Sequence, residues 1–189
     1  MHGTSGASLS ELLSRMAAVQ LADWHGLPGN LHLGDARPWL DADEVPVSLT
    51  LGEDDVAARM LHLADPAPGA ATRAWLHGDR DRAGDVDGDR ETIVMVDMAV
   101  KGNHPATPSS LPGQPDARLD TRYGLRNLAG GEWVFADRGL ALIVNVSNNA
   151  ILHVIAFTPT TVADYVRTLR PSFETRRRSL RRDVAMIDG

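Results

Sequence analysis

Residues 132–157 read EWVFADRG (132–139), LALIVNV (140–146), SNNA (147–150) and ILHVIAF (151–157). The apolar runs have the length and composition of β-strands, and short polar segments with Gly or Asn separate them. This pattern predicts an antiparallel meander of three strands, with Gly139 as the left-handed residue that closes the first turn. Helical patterns flank the meander. We therefore expect an α+β fold: an antiparallel sheet of about five strands containing a C-terminal three-stranded meander, with N-terminal, central and C-terminal helices.

The second turn of the meander predicts a register for its hairpin. If Asn148 and Asn149 form a two-residue loop with positive φ at both positions, Val144 lies opposite His153. Side chains alternate between the two faces of a strand. One face then carries the larger residues, and the other carries Ala141, Ile143, Leu152 and Val154. Both faces are apolar, so we expect each to be covered, or one to be open to a ligand or partner.

Capping signals predict the helices. Ser8 and Glu11 have the spacing of a capping box, followed by a helical pattern over residues 9–22. The segment Glu53–Leu63 is predicted to be a helix, because acids at its start suit the helix dipole. Thr160 or Thr161 caps a further helix that Pro171 ends. The last predicted helix is rich in Arg and spans residues 172–187.

The other elements complete one domain. Val47–Leu51, Thr72–His77 and Thr92–Val100 are predicted to be strands, and the charged segment between the last two is predicted to be a solvated loop. That loop, Asp79–Asp89, resembles a calcium loop in composition, but neither placement of its glycines gives the EF-hand ligand spacing. We therefore expect a single α+β domain over residues 1–171, with residues 172–189 as an appended Arg-rich helix.

Composition limits the function classes. The chain has 189 residues, a formal net charge of −6 and no cysteine, which excludes disulfides, thiolate catalysis and cysteine-ligated metals. The sequence contains neither a secretory signal nor an apolar run of membrane-spanning length, so we expect a soluble, cytoplasmic protein. Lys101 is the one Lys among 19 basic residues, and Ala, Asp, Gly and Pro are abundant; this coding bias indicates a bacterial protein. Residues 35–55 hold seven acids against one base, and residues 167–182 hold seven Arg against one acid. We expect the Arg cluster of the last predicted helix, residues 176–182, to meet the acids of residues 35–55, within one molecule or between two copies.

No stretch of the chain carries a catalytic, nucleotide-binding or metal-binding motif. We therefore expect no catalytic residue, no metal site and no cofactor. The alternative is a small metal- or His-dependent enzyme, whose site would be assembled from side chains that lie far apart in the sequence. Those side chains are His25, His32, Asp35, His77 and His153.

The best-supported function is a non-catalytic binding module for a peptide or protein partner, such as an accessory protein in a bacterial pathway. The partner would use an exposed strand edge or the groove beside the hairpin. The predicted partner-binding residues are Ala141, Ile143, Leu152, Val154, His153 and Trp133. A second alternative is nucleic-acid contact through the Arg-rich C-terminal helix, which the acidic net charge disfavours. We expect no membrane partner, and a homodimer is compatible with the charge pattern.

Overall fold

The computed structural model describes residues 8–40, 45–64, 72–77, 90–100, 107–172 and 174–176, so the loop Asp79–Asp89 lies outside the described residues. The strands are β1 (Val47–Leu51), β2 (Val56–Leu63), β3 (Thr72–His77), β4 (Ile93–Ala99), β5 (Ala117–Tyr123), β6 (Leu128–Phe135), β7 (Leu140–Asn145) and β8 (Ile151–Phe157). The helical segments are α1 (Leu9–Ala17), α2 (Leu33–Ala36) and α3 (Val162–Asp164), which continues as a π-helical turn over Tyr165–Leu169. Short 3₁₀ turns lie at Arg37–Trp39, Pro108–Ser110 and Ala136–Arg138.

The described strands form one antiparallel sheet of eight, in the order β1-β2-β3-β4-β8-β7-β6-β5. Each half of the chain contributes a meander of four consecutive strands, and the two meanders join where β4 pairs with β8. β1 and β5 are the edge strands of the described sheet. This arrangement confirms the α+β fold class and the C-terminal meander; the sheet has eight strands where the sequence predicts about five.

The predicted central helix at Glu53–Leu63 is wrong, because Val56–Leu63 is strand β2. The acids belong to the β1–β2 turn, where Gly52 and Asp55 have φ of 69° and 50° and reverse the chain. Met60 and Leu61 are neighbours in sequence, and both are buried because β2 is covered on both faces. A strand that is covered on both faces need not alternate, so its sequence lacks the usual strand signal, and the acids that indicate a helix start belong to a turn.

The predicted register of the β7–β8 hairpin is also wrong. Residues 146–150 lie between the two strands. Because Asn145 N–H donates to the carbonyl of Ala150 at 2.9 Å, residues 146–149 form a four-residue loop. Of the two turn asparagines, only Asn149 has a positive φ, at 55°. His153 lies opposite Ile143, and Val144 lies opposite Ile151.

A β-bulge on β8 completes the change of register. Leu152 is the extra residue, since its neighbours Ile151 and His153 pair with consecutive residues of β7. A bulge places two consecutive side chains on the same side of a strand. The four-residue loop and the bulge together shift the pairing of β7 and β8 by one residue from the predicted register, so Ile155 lies opposite Ala141.

Each face of the sheet is covered by one end of the chain. The N-terminal face packs against α1 and the loop that follows it, with Leu13, Met16 and Trp24 fully or almost fully buried there. The C-terminal face packs against α3 and the turn after it, where Tyr165 stacks on Phe157 with ring centroids 4.7 Å apart. Two apolar faces of one sheet are thus both buried, as their sequence patterns require.

The N-termini of α1 and α3 follow the predicted caps, whereas α1 ends at Ala17 and not at residue 22 as predicted. Ser8 Oγ accepts from the backbone N–H of Glu11 at 3.3 Å, and Thr161 Oγ1 accepts from that of Asp164 at 3.1 Å. Gly139 closes the β6–β7 turn with φ of 58°, as predicted. The predicted last helix lies mostly outside the described residues; its first turn is present, with Arg176 N–H donating to the carbonyl of Ser172 at 3.0 Å. No helix in the described parts of the chain combines the length and apolar character needed to cross a membrane.

Candidate functional site

The segment after α3 crosses the C-terminal face between the two edges of the sheet. We call it the arm; it comprises Tyr165–Ser172 and 174–176. At the β1 side, the backbone N–H groups of Gly52, Glu53 and Asp54 donate to arm carbonyls at 2.8, 3.2 and 2.9 Å. These three backbone hydrogen bonds attach the arm to the β1–β2 turn.

The β1–β2 turn and the arm touch so closely that only glycine fits at position 52. A Cβ atom built on Gly52 would lie 1.9 Å from the carbonyl oxygen of Arg167. Beside this contact, Arg167 Nη2 lies 2.8 Å from Asp54 Oδ2. Both side chains are largely exposed, so the pair stabilises only weakly. It involves an arginine that precedes the Arg cluster of residues 176–182; within that cluster Arg176 pairs with Glu132, and the residues beyond it lie outside the described part, so the predicted contact with the acids of residues 35–55 stays a prediction.

Glu132 of β6 is the centre of a buried polar cluster that anchors the arm. Its side chain is fully buried, and its Oε1 accepts from the Tyr165 hydroxyl at 2.5 Å and from Arg176 Nη2 at 3.2 Å. Its Oε2 accepts from Arg170 Nε at 2.9 Å. A buried carboxylate requires such donors, because the charge has lost its hydration. Glu132 thus holds three arm side chains at once.

The environment of Glu132 also affects the arm tyrosine. Burial raises the pKa of Tyr165 well above its ordinary value of 10.0, and the negative charge of Glu132 raises it further. The nearby guanidinium groups of Arg176 and Arg170 act in the opposite direction and are weaker. The Tyr165 hydroxyl therefore remains protonated and acts as a hydrogen-bond donor.

The arm also reaches the other edge of the sheet. Arg170 Nη2 donates to the backbone carbonyl of Asp120 at 2.7 Å, and Arg176 Nη1 donates to the hydroxyl of Thr121; both acceptors belong to β5. On the β1 side, Thr175 Oγ1 donates to the carbonyl of Thr50 at 3.3 Å. The arm therefore bridges the two edge strands, which lie at opposite ends of the strand order.

A surface groove of about 300 Å³ lies over the arm. Its floor is arm residues, one wall is the β1–β2 turn at Gly52 and Glu53, and the other wall is Asp120, Thr121 and Arg122 of β5. The volume is at the lower end of the range for ligand pockets in proteins.

The wall formed by β5 presents backbone groups to the groove. Arg170 bonds the Asp120 carbonyl from the arm, so this carbonyl points away from β6. In an antiparallel strand, alternate residues direct both backbone groups to the same side. The N–H groups of Arg118, Asp120 and Arg122 therefore point outward, and no described strand pairs with them. Their side chains are exposed as well.

A second polar pair lies on the same face of the sheet, on β8 and β4, which are two and three strands away from the strand of Glu132. His153 Nδ1 lies 2.9 Å from Asp97 Oδ1, and their side chains are 17% and 5% exposed. The pair borders a small cavity of about 10 Å³ that Tyr123 and Arg176 also line. A cavity of this size is close to the minimum for one water molecule.

The structure distributes the predicted partner-binding residues among different environments. Ala141, Ile143 and Val154 are buried in the core, and they contribute to both faces of the sheet. Leu152 and His153 are partly exposed at the bulge. Trp133 is partly buried on the N-terminal face, with the Arg118 guanidinium 4.6 Å from its ring centroid.

The residues of the alternative His-dependent site are not brought together among the described side chains. His32 and Asp35 are neighbours at the start of α2, where the backbone N–H of His32 donates to the Asp35 carboxylate at 2.8 Å. His153 instead pairs with Asp97, and the side chain of His77 lies outside the described part. Within that part, no group of three or more His, Asp or Glu side chains has the arrangement of a metal site. The Arg-rich residues beyond Arg176 also lie outside it.

Sequence reasoning missed Glu132, Asp97 and Tyr165 as members of polar clusters. The available signal was an acid within a strand whose other residues are apolar, as Asp97 is in IVMVDMA (93–99). Such an acid needs a partner on the face to which it points.

No protein-family model, curated protein or solved structure matches this chain.

Proposed function

We propose that this protein is a non-catalytic binding module for a peptide or protein partner, and that the partner adds an extended segment to the outer edge of β5. The observation that carries the proposal is the groove beside this edge strand. β-Strand addition takes its affinity from main-chain hydrogen bonds and its selectivity from pockets for alternate side chains. The outward backbone groups of β5 supply the main-chain hydrogen bonds, and the groove over the arm supplies the pocket for a side chain.

The Glu132 cluster supports binding rather than chemistry. Both carboxylate oxygens of Glu132 are occupied by donors from the arm. Glu132 therefore serves to fix the arm, which is the floor of the groove. A site held rigid by buried hydrogen bonds loses little entropy when a ligand binds, and this favours affinity.

The proposal is tested by Asp120→Pro, with Asp120→Ala as the matched control. Proline removes the outward N–H that an added strand needs, and edge positions tolerate proline because the ladder to β6 is kept. A displayed library of random nonapeptides, selected on the unmodified protein, supplies the probes. We expect the selected peptides to bind Asp120→Ala and to lose affinity for Asp120→Pro by about tenfold or more, for loss of one or two main-chain hydrogen bonds.

Two results contradict the proposal. One is a library that yields no peptide with saturable binding. The other is a set of peptides that bind both variants equally. Circular dichroism and the unfolding midpoint of each variant show that the fold is intact before affinities are compared.

The Asp97–His153 pair favours a second candidate function, a small His-dependent enzyme. A carboxylate that holds Nδ1 of an imidazole is the arrangement that orients a general base. Hydrolysis of a panel of chromogenic esters and phosphoesters by the protein and by His153→Gln tests this candidate. Turnover that the substitution abolishes would favour the enzyme over the binding module.

A further inference from the structure

We infer that the groove over the arm selects an acidic side chain of the peptide, and that Arg170 binds its carboxylate. This inference rests on the proposed function and names the chemical class of the ligand. It is carried by the way in which Arg170 is held.

Arg170 is fixed in place by two hydrogen bonds on one side of its guanidinium group. Nε donates to Glu132 Oε2 at 2.9 Å, and Nη2 donates to the carbonyl of Asp120 at 2.7 Å. Nη1 has no hydrogen-bond partner among the described residues. The side chain is 26% exposed and lines the groove, so these remaining N–H groups are accessible to a ligand.

A guanidinium group fixed in this way is suited to a carboxylate. Arg presents N–H donors in a planar fork that matches the two oxygens of a carboxylate, and charge-assisted hydrogen bonds are about twice as strong as neutral ones. Because Glu132 and Asp120 already hold the group, little side-chain entropy is lost when it binds.

The carboxylate should come from a side chain and not from a peptide terminus. The groove is lined by Asp120, Thr121 and Arg122, but β5 begins at Ala117 and continues past the groove on that side. A strand paired along this edge would therefore run through the groove, and would present to Arg170 a side chain from its middle.

Two acids at the rim restrict what can flank this side chain. Glu53 and Asp120 line the same groove and are exposed. Like charges at close range disfavour a second acid on the peptide. The groove should therefore accept one acidic residue among neutral or basic neighbours.

The experiment uses two synthetic nonapeptides, acetylated and amidated, with Lys at each end and alternating Thr and Val around a central residue. The central residue is Glu in one peptide and Gln in the other. We expect the Glu peptide to bind the unmodified protein about tenfold more tightly, as for one charge-assisted hydrogen-bonded pair. The preference should fall below about threefold in Arg170→Lys, which keeps the charge and loses the fork. It should persist in the control Arg118→Lys, because Arg118 lies on β5 and does not line the groove.

The readout also includes the Nε–H signal of Arg170 in NMR spectra of the unmodified protein, which does not depend on the variant remaining folded. A shift of this signal on addition of the Glu peptide, and not of the Gln peptide, supports the inference. Equal affinities for the two peptides overturn the inference and leave the proposed function intact. Absence of binding by either peptide, together with an unproductive library, overturns the proposed function and the inference with it. A Gln peptide with a free C-terminus that binds as well as the Glu peptide would show that the groove binds a terminal carboxylate instead.

Discussion

The hydroxyl of Tyr165 donates a hydrogen bond of 2.5 Å to Oε1 of Glu132, and both side chains are fully buried. The two residues are 33 positions apart in the sequence. Tyr165 begins the arm, and Glu132 lies in the middle of the second meander. This bond and the two arginines on the same carboxylate connect the end of the chain to the sheet, and the groove exists because the arm is held there.

Glu132→Gln should be the most damaging of the polar substitutions. It removes the negative charge between two guanidinium groups, and breaking a buried ion pair in this way costs about 3–5 kcal/mol of unfolding free energy. Urea unfolding at neutral pH measures the loss. Glu53→Gln, an exposed acid at the groove, is the control and should leave stability unchanged. A Glu132→Gln protein as stable as the control would show that the cluster does not anchor the arm.

Tyr165→Phe should have a smaller effect on the same cluster. The ring still stacks on Phe157, but Oε1 of Glu132 loses one of its two donors. An acceptor left short of a partner in the core costs about 1–3 kcal/mol. Thermal and urea unfolding of Tyr165→Phe and Tyr123→Phe should separate this cost from the general effect of losing a hydroxyl. Equal losses in the two variants would contradict the role of the hydrogen bond.

Stability should fall in alkaline solution because of the raised pKa of Tyr165. An unfolded tyrosine ionises near pH ~10, whereas the folded residue keeps its proton to higher pH. Above that pH the unfolded state binds fewer protons than the folded state, so the free energy of unfolding decreases as pH rises toward the folded pKa. Unfolding free energies measured across pH 9–12 should show this decrease in the unmodified protein and a shallower one in Tyr165→Phe. The same pH dependence in both proteins would assign the effect to other groups.

Gly52→Ala should displace the arm from the β1–β2 turn. The residue has φ of 69°, and an added Cβ would meet the Arg167 carbonyl at 1.9 Å. Left-handed strain alone costs about 1–2 kcal/mol, and the clash adds to it. Gly29→Ala is the matched control, since nothing lies within 4 Å of its Cβ position. Hydrogen exchange at the amides of residues 52 and 54 should accelerate in Gly52→Ala. Unchanged protection of these amides would contradict the close contact between the β1–β2 turn and the arm.

Asn149→Val should destabilise the β7–β8 hairpin more than Asn148→Val does. Asn149 has φ of 55°, and β-branched residues strongly resist positive φ. Asn148 is outside that region, and its side chain accepts one exposed hydrogen bond from Ala150 N–H at 3.0 Å. A difference of about 1 kcal/mol in unfolding free energy is expected. Equal losses would favour a two-residue loop with positive φ at both positions over the four-residue loop.

Features that depend on near neighbours in the chain could be predicted from the sequence. The cap at Ser8, the cap at Thr161 and the left-handed Gly139 each involve residues within one turn, and all three were predicted. The meander was predictable for the same reason, since strand length and turn chemistry are local properties.

Features that depend on distant contacts were not predictable in this way. The sequence predicts a helix in place of β2, because both faces of β2 are covered by segments far away in the sequence and such a strand lacks the alternation that marks a strand. The register of β7 and β8 depends on a bulge at Leu152, and the contact of His153 with Asp97 depends on the pairing of β8 with β4. Local turn chemistry cannot specify such a pairing.

The Glu132 cluster shows most clearly the difference between local features and features that depend on distant contacts. The sequence places an acid in an apolar strand at position 132 and arginines near the C-terminus. Their meeting requires the arm to cross from β1 to β5, and that path depends on the close approach of Gly52 and on the burial of Tyr165. Residue types and local turns are therefore encoded along the chain, whereas the groove arises from long-range packing, because it lies between elements that only the folded sheet brings together.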